Sequence, residues 1–184
     1  MLLIRHAQSE FNAAFSVTRV DPGIPDPKLT AQGREQASAA AQALRGTGIK
    51  RLISSPYRRA LETATIIADA LGLEVTIEAL VRERAAFHCD IGTGPAGLRS
   101  LFPRYRFDHL DDPWWHDHVA TGTAETEAAL AERCAAFLAA AEKLHDRADV
   151  AVVTHWGFIR AATGKPVQNC EMIRLSGYQP PLPL

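Results

Sequence analysis

The stretch Leu2–Asn12, LLIRHAQSEFN, decides how the chain is interpreted. An apolar run of three residues passes directly into Arg5 and His6, and small or polar side chains follow. The run is too short for a helix and is typical of a buried strand. A buried strand that ends in a cation and an imidazole predicts a rigid mount that presents both side chains at its carboxyl end.

Two later segments share this layout, RLISSPYRRA at 51–60 and VAVVTHWG at 150–157. In open parallel sheets, ligand sites form beyond the carboxyl ends of the strands. We therefore expect one edge of the sheet to gather Arg5, His6, Arg58 or Arg59, and His155. Forked guanidinium donors match phosphate oxygens, and a helix that opens at Gly157 offers free N–H groups to an anion. The pattern predicts a site for a compact, multiply charged anion.

The rest of the chain alternates between strand and helix patterns. Helices are predicted over 31–44 with Thr30 as the N-cap, from Pro56 to about Leu71, over 126–144 and from Gly157 to Thr163. Further strands are predicted over 73–80 and 171–175, and a loop over 21–29. The near-continuous apolar strand at 150–155 is typical of a sheet covered on both sides. The sequence thus predicts an α/β fold, a three-layer sandwich with a mainly parallel central sheet.

The length predicts a single domain over 1–184. Residues 85–123 combine Gly, Pro, His, Phe and Trp without a sustained period, which predicts an irregular lid insertion. The proline-rich end of the chain, GYQPPLPL at 177–184, predicts a loosely held tail.

Composition disfavours several partners. The net charge is −1, from 20 basic and 21 acidic residues, which gives no electrostatic argument for nucleic acid or an acidic membrane surface. No stretch approaches the roughly 20 apolar residues of a membrane span, and no secretory signal is recognisable. The three cysteines, Cys89, Cys134 and Cys170, form no CxxC pair. Free thiols favour a reducing compartment, so we expect a cytoplasmic protein; its oligomeric state stays open.

Five motifs together resemble the histidine phosphatase superfamily, the phosphoglycerate mutase-like proteins. RHAQSEFN resembles the signature R-H-G-x-S-x-x-N, and LTAQGREQA at 29–37 and SSPYRRALETA at 54–64 are similar to the next two family elements. VRERAAF at 81–87 carries a glutamate where the family places its proton donor, and VVTHWGFIRA at 152–161 resembles the second histidine motif. The occurrence of all five in the family's order argues against chance.

The resemblance implies a role for each matched position. His6 would be the nucleophile that becomes phosphorylated, and Glu83 would protonate the leaving group. The phosphoryl oxygens would be held by three side chains, Arg5, Arg59 and His155. Asn12 would either add a contact or only cap a helix. Trp156 replaces a glycine common in the family, and its ring would either line the pocket or cover the start of a helix.

These roles have chemical reasons. Only a neutral imidazole has the free lone pair that attack requires, so the second ring nitrogen of His6 should donate to a backbone carbonyl. Two arginines and a protonated His155 would hold the phosphoryl charge, so neither a metal nor a cofactor is expected. Glu83 can supply a proton if nearby phosphate keeps it protonated, and its carboxylate can then deprotonate water.

The favoured function is metal-independent hydrolysis of a small phosphorylated substrate. The family's mutases are expected to have a longer insertion after the acid residue, with an E-R-H-Y-G-like sequence that RERAAFHCDIGTG lacks. A mutase and a catalytically silent phospho-ligand binding module remain alternatives. HCD at 88–90 and HDH at 116–118 match no zinc spacing, which disfavours a metal site there.

The predicted lid offers candidates for substrate contact. They are Phe87, His88, Arg104, Arg106, Trp114 and Trp115. The favoured alternative for the two tryptophans is that they fill a core between the insertion and the sheet.

Overall fold

The computed structural model describes residues 1–175, and the tail predicted over 177–184 lies outside the described residues. A five-stranded sheet runs through the described part of the chain. Its strands are β1 Leu2–Arg5, β2 Arg51–Ser54, β3 Glu74–Ile77, β4 Val150–Thr154 and β5 Met172–Arg174. Their spatial order is β3-β2-β4-β1-β5, with β5 antiparallel to β1 and the other pairings parallel. The predicted mainly parallel sheet is confirmed.

Helices connect the strands. They are α1 Glu10–Thr18, α2 Ala31–Leu44, α3 Arg58–Leu71, α4 Pro95–Leu101, α5 His118–Thr121, α6 Glu127–Glu142 and α7 Trp156–Thr163. The predicted N-cap of α2 is confirmed, because Thr30 Oγ1 accepts the N–H of Gly33 at 3.0 Å. Thr126 caps α6 in the same way, accepting the N–H of Ala129 at 3.1 Å. Within residues 1–175, no helix combines the length and the apolarity that crossing a bilayer requires.

Alternating side chains give the sheet two apolar faces. On one face, Leu3 and Val152 pack with Phe137 of α6 and with α7. On the other face, Ile4 and Val153 pack against alanine-rich surfaces of α2 and α3. Because successive strand residues point to opposite faces, both faces are buried and the strands read as continuous apolar runs. The predicted three-layer α/β sandwich is confirmed.

The strand register brings three segments out of the sheet at one edge. β4 lies between β1 and β2, and Arg5 pairs with Thr154. The pairing continues beyond the strands, since the His6 N–H donates to the Thr154 carbonyl at 2.8 Å. Likewise, the Ser55 N–H donates to the Val153 carbonyl at 3.1 Å. The residues that follow β1, β2 and β4 are therefore fixed side by side.

Helix α3 begins two residues later than the predicted start at Pro56. Tyr57 is extended, with φ −60° and ψ 136°, and the first helical residue is Arg58. The carboxylate of Asp26 accepts the N–H of Arg58 at 2.8 Å. A side chain from the 21–29 loop thus satisfies a free donor at the start of this helix.

Strand β3 is shorter than the predicted 73–80. It ends at Ile77, and the side chain of Glu78 then accepts the N–H of Leu80 at 2.8 Å. This local hydrogen bond opens a 3₁₀ turn over Ala79–Val81 and takes the chain out of the sheet.

Residues 85–123 form a 3₁₀ turn at His88–Asp90 and the short helices α4 and α5. Trp114 is 5% exposed, its ring centroid lies 4.7 Å from that of Tyr57, and its Nε1–H donates to the carbonyl of Thr93 at 2.9 Å. Trp115 packs against the same apolar cluster. The tryptophans therefore fill a core, as the favoured alternative held. A lid role for this segment, and a single domain over 1–184, stay predictions.

Gly33 is required by a close approach of two backbones. A Cβ at this position would overlap the carbonyl oxygen of Gln8, which accepts the N–H of Thr30 at 3.0 Å. Rotation of a side chain cannot relieve this overlap. Overpacking costs about 1–3 kcal/mol, which outweighs the gain of about 1 kcal/mol in helix propensity from alanine.

We therefore predict that Gly33→Ala lowers the free energy of unfolding by about 1–2 kcal/mol in urea denaturation. Ser38→Ala, at an exposed position on the same helix, serves as the control and should change it by less than about 0.5 kcal/mol. Equal stability of the Gly33 variant and the wild type would contradict the prediction.

Candidate active site

A cavity of about 650 Å³ opens where β1, β2 and β4 end. The predicted site residues that line it are Arg5, His6, Asn12, Arg59, Glu83 and Trp156. His155 is completely buried, and its ring centroid lies 5.0 Å from that of His6. The fold thus brings together the seven side chains that the family motifs selected, from positions as far apart as Arg5 and Trp156.

The ring of His6 is held in one tautomer. Its Nδ1 lies 2.8 Å from the carbonyl oxygen of Ala7, so Nδ1 carries the hydrogen and Nε2 keeps its lone pair. The predicted backbone partner of this imidazole is confirmed. Burial, followed by the charges of Arg59 and Arg5, lowers the pKa of His6 well below its ordinary value. The imidazole is therefore neutral, and its Nε2 keeps an unprotonated lone pair.

His155 is neutral as well, and the protonated form expected around a phosphoryl group stays a prediction. Burial, then the charge of Arg59 and then His6, lowers its pKa well below the ordinary value. Its Nε2 lies 2.8 Å from Ser55 Oγ, which accepts the N–H of Tyr57 at 3.4 Å. The Ser55 hydroxyl can then donate to Nε2, which leaves the hydrogen of His155 on Nδ1. That Nδ1 is buried without a partner among residues 1–175.

Of the two arginines in the sequence pair, the structure places Arg59 at the cavity. Its Nη1–H donates to the carbonyl of Cys89 at 2.7 Å and its Nη2–H to Asp90 Oδ1 at 3.0 Å. Arg58 turns to Glu62 instead, with Nε 2.8 Å from Oε1. Burial acts to lower the pKa of Arg59, but neighbouring acidic groups, Asp90 among them, outweigh it and the pKa is raised.

Arg5 is fixed at one end of its guanidinium. Nη1–H donates to the carbonyl of Val167 at 2.8 Å. Its Nε is buried and has no hydrogen-bond partner in the described part of the chain, residues 1–175. Arg5 Nε and His155 Nδ1 are thus two buried donors of the site that no protein group among residues 1–175 satisfies.

Asp90 is the site residue that the sequence reasoning missed. Its Oδ1 accepts from Arg59, and its Oδ2 accepts the backbone N–H groups of Ala86 and Phe87 at 3.1 Å each. Asp90 is 1% exposed, so this carboxylate is a buried counter-ion. The sequence considered it only within an HCD metal motif. No sequence signal indicates its backbone partners, because a capping box needs a polar N-cap residue and Phe87 has no side-chain acceptor.

Glu83 lies at the start of α7. Its Oε1 accepts the N–H groups of Arg84 at 2.8 Å and Gly157 at 2.9 Å. The anion predicted at the Gly157 N–H is therefore the protein's own carboxyl group, and a Cβ at Gly157 would overlap Oε1. Burial and then Asp90 raise the pKa of Glu83 to about 6, against the opposing charges of Arg59 and Arg5. Because Oε1 accepts two N–H groups, Oε2 is the atom that can carry a proton.

Asn12 satisfies the helix-cap alternative. Its Oδ1 accepts the N–H of Ser9 at 3.1 Å, and Ser9 Oγ accepts the N–H of Asn12 at 3.3 Å, which forms a capping box for α1. Asn169, which the sequence did not select, donates from Nδ2 to the carbonyl of His6 at 2.9 Å and lies 3.3 Å from Asn12 Oδ1. Asn12 also lines the cavity, so contact with a phosphoryl group stays a prediction.

Trp156 lines the cavity as the first residue of α7. It is 38% exposed, and the guanidinium carbon of Arg160 lies 5.2 Å from its ring centroid. The ring therefore has a free surface toward solvent and a cation stacked on it. The alternative in which Trp156 lines the pocket is the one that the structure supports.

Among the candidates from 85–123, Phe87 reaches the cavity. Arg104 pairs with Asp69 on the surface, and His88 Nδ1 lies 3.1 Å from Asp21 Oδ2. Arg106 is exposed. Within residues 1–175, no group of three or more His, Cys, Asp or Glu side chains could hold a metal ion.

Comparison with known proteins places this arrangement in a family. Residues 1–174 match the model of the histidine phosphatase superfamily, branch 1. The chain belongs to the histidine phosphatase superfamily. The match confirms the family that the five sequence motifs predicted, and it extends from the first residue to the last strand of the sheet.

Several members of the histidine phosphatase superfamily are similar over most of the chain. The glucosyl-3-phosphoglycerate phosphatase of Mycolicibacterium vanbaalenii is 29% identical over 192 residues, covering 94% of this chain and 78% of the relative. GpmB of Salmonella arizonae, a probable phosphoglycerate mutase, is 29% identical over 162 residues, covering 83% of this chain and 67% of the relative. A mycobacterial glucosyl-3-phosphoglycerate phosphatase solved with VO3 has a TM-score of 0.67 and 22% identity, over 97% of this chain and 91% of that chain. This last likeness shows the shared fold.

Asp90→Asn should lower the pKa of Glu83. The substitution removes a like charge from the surroundings of that carboxyl group, and it frees Arg59, a cation, from its counter-ion; both changes favour the ionised glutamate. A titration of the side-chain carboxyl carbons by NMR measures the shift. Asp108→Asn, at an exposed position, is the matched control. An unchanged Glu83 pKa in the Asp90 variant would show that the two groups are not coupled.

Proposed function

We propose that this chain is a metal-independent phosphomonoesterase that works through a phosphohistidine on His6. One observation carries the proposal. The Nδ1–H of His6 donates a hydrogen bond to the carbonyl of Ala7, so Nε2 is unprotonated, and His6 lines the same cavity as Arg5, Arg59 and Glu83. The similarity to a glucosyl-3-phosphoglycerate phosphatase supports hydrolysis of a small phosphate ester. Three free cysteines support a reducing, cytoplasmic location.

The phosphoryl group is held by fixed donors. Nε of Arg5 and Nδ1 of His155, both buried without a partner among residues 1–175, become donors to its oxygens, together with Arg59. His155 fulfils this role as a neutral N–H donor, and the dianionic substrate then raises its pKa. Preorganised donors of this kind stabilise developing charge without reorganisation, at about 3–4 kcal/mol for a well-placed one.

In the first step, the lone pair of His6 Nε2 forms a bond to phosphorus and the bond from phosphorus to the ester oxygen breaks. The leaving alkoxide takes a proton from Glu83 Oε2, so an alcohol is released. The pKa of Glu83, raised to about 6, keeps a share of this group protonated near neutral pH. A bound phosphate dianion raises that share further.

In the second step, the carboxylate of Glu83 takes a proton from water, and the hydroxide oxygen bonds to phosphorus. The bond between phosphorus and Nε2 breaks, which returns neutral His6 and inorganic phosphate. Transfer to a bound alcohol in place of water would make the protein a mutase, and an intact but unreactive complex would make it a binding module. The experiment below distinguishes these outcomes.

His6→Ala should reduce turnover of a generic aryl phosphate by about 10³-fold or more, because the attacking atom is removed. Rapid quenching of the wild type with ³²P-labelled substrate should trap an acid-labile phosphoryl adduct that the variant lacks. Activity should persist in excess chelator. His145→Ala, at an exposed position, is the matched control.

Three results would count against the proposal. Loss of wild-type turnover on chelation would point to a metal. Phosphate release by the His6→Ala variant at the wild-type rate would exclude His6 as the nucleophile. Isomerisation of a phosphoglycerate without release of inorganic phosphate would indicate the mutase.

Glu83→Gln should slow the reaction with alkyl phosphates far more than the reaction with aryl phosphates. An alkoxide needs a proton to leave and loses about 10²–10⁴-fold without a general acid, whereas p-nitrophenolate leaves unprotonated. Single-turnover rates of adduct formation with ethyl phosphate and p-nitrophenyl phosphate measure the difference. Glu132→Gln, exposed on α6, is the control. An equal loss of rate with the two esters would show that Glu83 is not the general acid.

The pH dependence of kcat/KM should follow the ionisation of Glu83. A proton donor must be protonated, so kcat/KM for ethyl phosphate should fall as pH rises through the Glu83 pKa of about 6. The substrate itself titrates in this range, with a second pKa of about 6. The Gln variant should therefore keep only the substrate's titration. Identical profiles for the wild type and the variant would refute the assignment.

A further inference from the structure

The cavity is much larger than its anion-binding floor. At about 650 Å³ it has the size of a site for a whole small-molecule ligand. Four aromatic residues contribute to its lining, among charged and small side chains: Phe11, Phe15, Phe87 and Trp156. None of these four rings takes part in the proposed chemistry, so the part of the substrate that leaves as alcohol must meet them.

Three of the rings form a contiguous surface, which we name the phenylalanine wall: Phe11, Phe15 and Phe87. Phe11 and Phe15 are four residues apart on α1 and stack with centroids 5.2 Å apart and an interplanar angle of 13°. The Phe87 ring lies 5.6 Å from the first and 5.4 Å from the second, at tilted angles. Phe87 nonetheless stays 40% exposed. Packed aromatic rings that keep an exposed face beside a cavity are a feature of ligand sites.

The outer part of the cavity, which we call its mouth, is also lined by Trp156 and by three arginines, Arg19, Arg84 and Arg160. Trp156 is 38% exposed and carries the guanidinium of Arg160 at 5.2 Å from its centroid. Arg84 is paired with Glu127 at 3.1 Å, whereas Arg19 and Arg160 have no carboxylate partner among residues 1–175. The lining therefore combines cations, which attract an anionic ester, with flat aromatic surfaces that can cover an apolar group.

We propose that the phenylalanine wall and Trp156 form a subsite for an aromatic ring in the leaving group. The substrate class is a phosphomonoester whose alcohol carries a planar unsaturated ring a short distance from the ester oxygen. A small polyol phosphate would leave these rings exposed to water, so its binding would gain no free energy from covering them. The inference rests on the proposed phosphatase function and deepens it.

The test compares three esters with equally basic leaving groups: ethyl phosphate, 2-cyclohexylethyl phosphate and 2-phenylethyl phosphate. Because all three are primary alkyl esters, differences in kcat/KM report binding of the side group. The wild type should prefer the phenylethyl ester by about tenfold or more over the ethyl ester, and should prefer it over the cyclohexylethyl ester. Phe87→Ala should reduce the phenylethyl-to-ethyl ratio several-fold. Val17→Ala, on α1 at an 83% exposed position, should leave all three values unchanged.

Two results would overturn the subsite. Equal kcat/KM values for the three esters would show that the rings do not bind the leaving group, while phosphatase activity itself would stand. Equal values for the cyclohexylethyl and phenylethyl esters would remove the requirement for a planar ring.

Calorimetric titration with 2-phenylethylphosphonate and ethylphosphonate, which cannot be hydrolysed, keeps the inference separate from the proposed function. Tighter binding of the phenyl compound, lost in Phe87→Ala, supports the subsite even if no ester is turned over. Equal affinities of the two phosphonates overturn it, whatever the activity.

Discussion

The site depends on the parallel pairing of β1 with β4. The hydrogen bond from the His6 N–H to the Thr154 carbonyl, at 2.8 Å, extends that pairing one residue past β1. It sets His6 beside His155 with ring centroids 5.0 Å apart. A slip of one residue would turn each side chain to the opposite face of the sheet, so the buried faces of both strands enforce the register. The same apolar packing that stabilises the fold therefore fixes the distance between the two imidazoles.

Burial then decides the charge state of the site. Both imidazoles are held neutral, whereas Arg59 stays charged because Asp90 lies against it at 3.0 Å. A buried ion pair is costly unless its remaining hydrogen bonds are satisfied, and Asp90 satisfies its own with two backbone N–H groups. With Glu83 protonated, Arg5 gives the ligand-free site an uncompensated positive charge. An entering dianion reverses that sign, which favours the protonated form that the proposed acid role of Glu83 requires.

Local patterns predicted much of the fold, because strand ends and helix caps are encoded by neighbours. Thr30 caps α2 as predicted, and His6, Arg59, Glu83 and His155 meet as the motifs implied. The features that sequence reasoning missed depend on contacts between distant positions. Asp26 sets the start of α3 from 32 residues away, and Asp90 holds Arg59 from 31 residues away. The protonated His155 expected around a bound phosphoryl group stays a prediction, because the motif identifies an imidazole, whereas burial beside Arg59 and the charge of a bound anion together set its protonation.

One carboxylate joins the anion site to the mouth of the cavity. Oδ1 of Asp90 holds Arg59, and Oδ2 holds the backbone N–H of Phe87, whose ring completes the phenylalanine wall. A displacement of the Phe87 backbone would therefore move Asp90 or break this buried charge-assisted hydrogen bond, and either change would reach Arg59. A ligand that fits the wall without moving it keeps the guanidinium in place. Because the proposed mechanism requires groups held within fractions of an ångström, this shared carboxylate couples the backbone position of Phe87 to the guanidinium that the proposal assigns to the phosphoryl group.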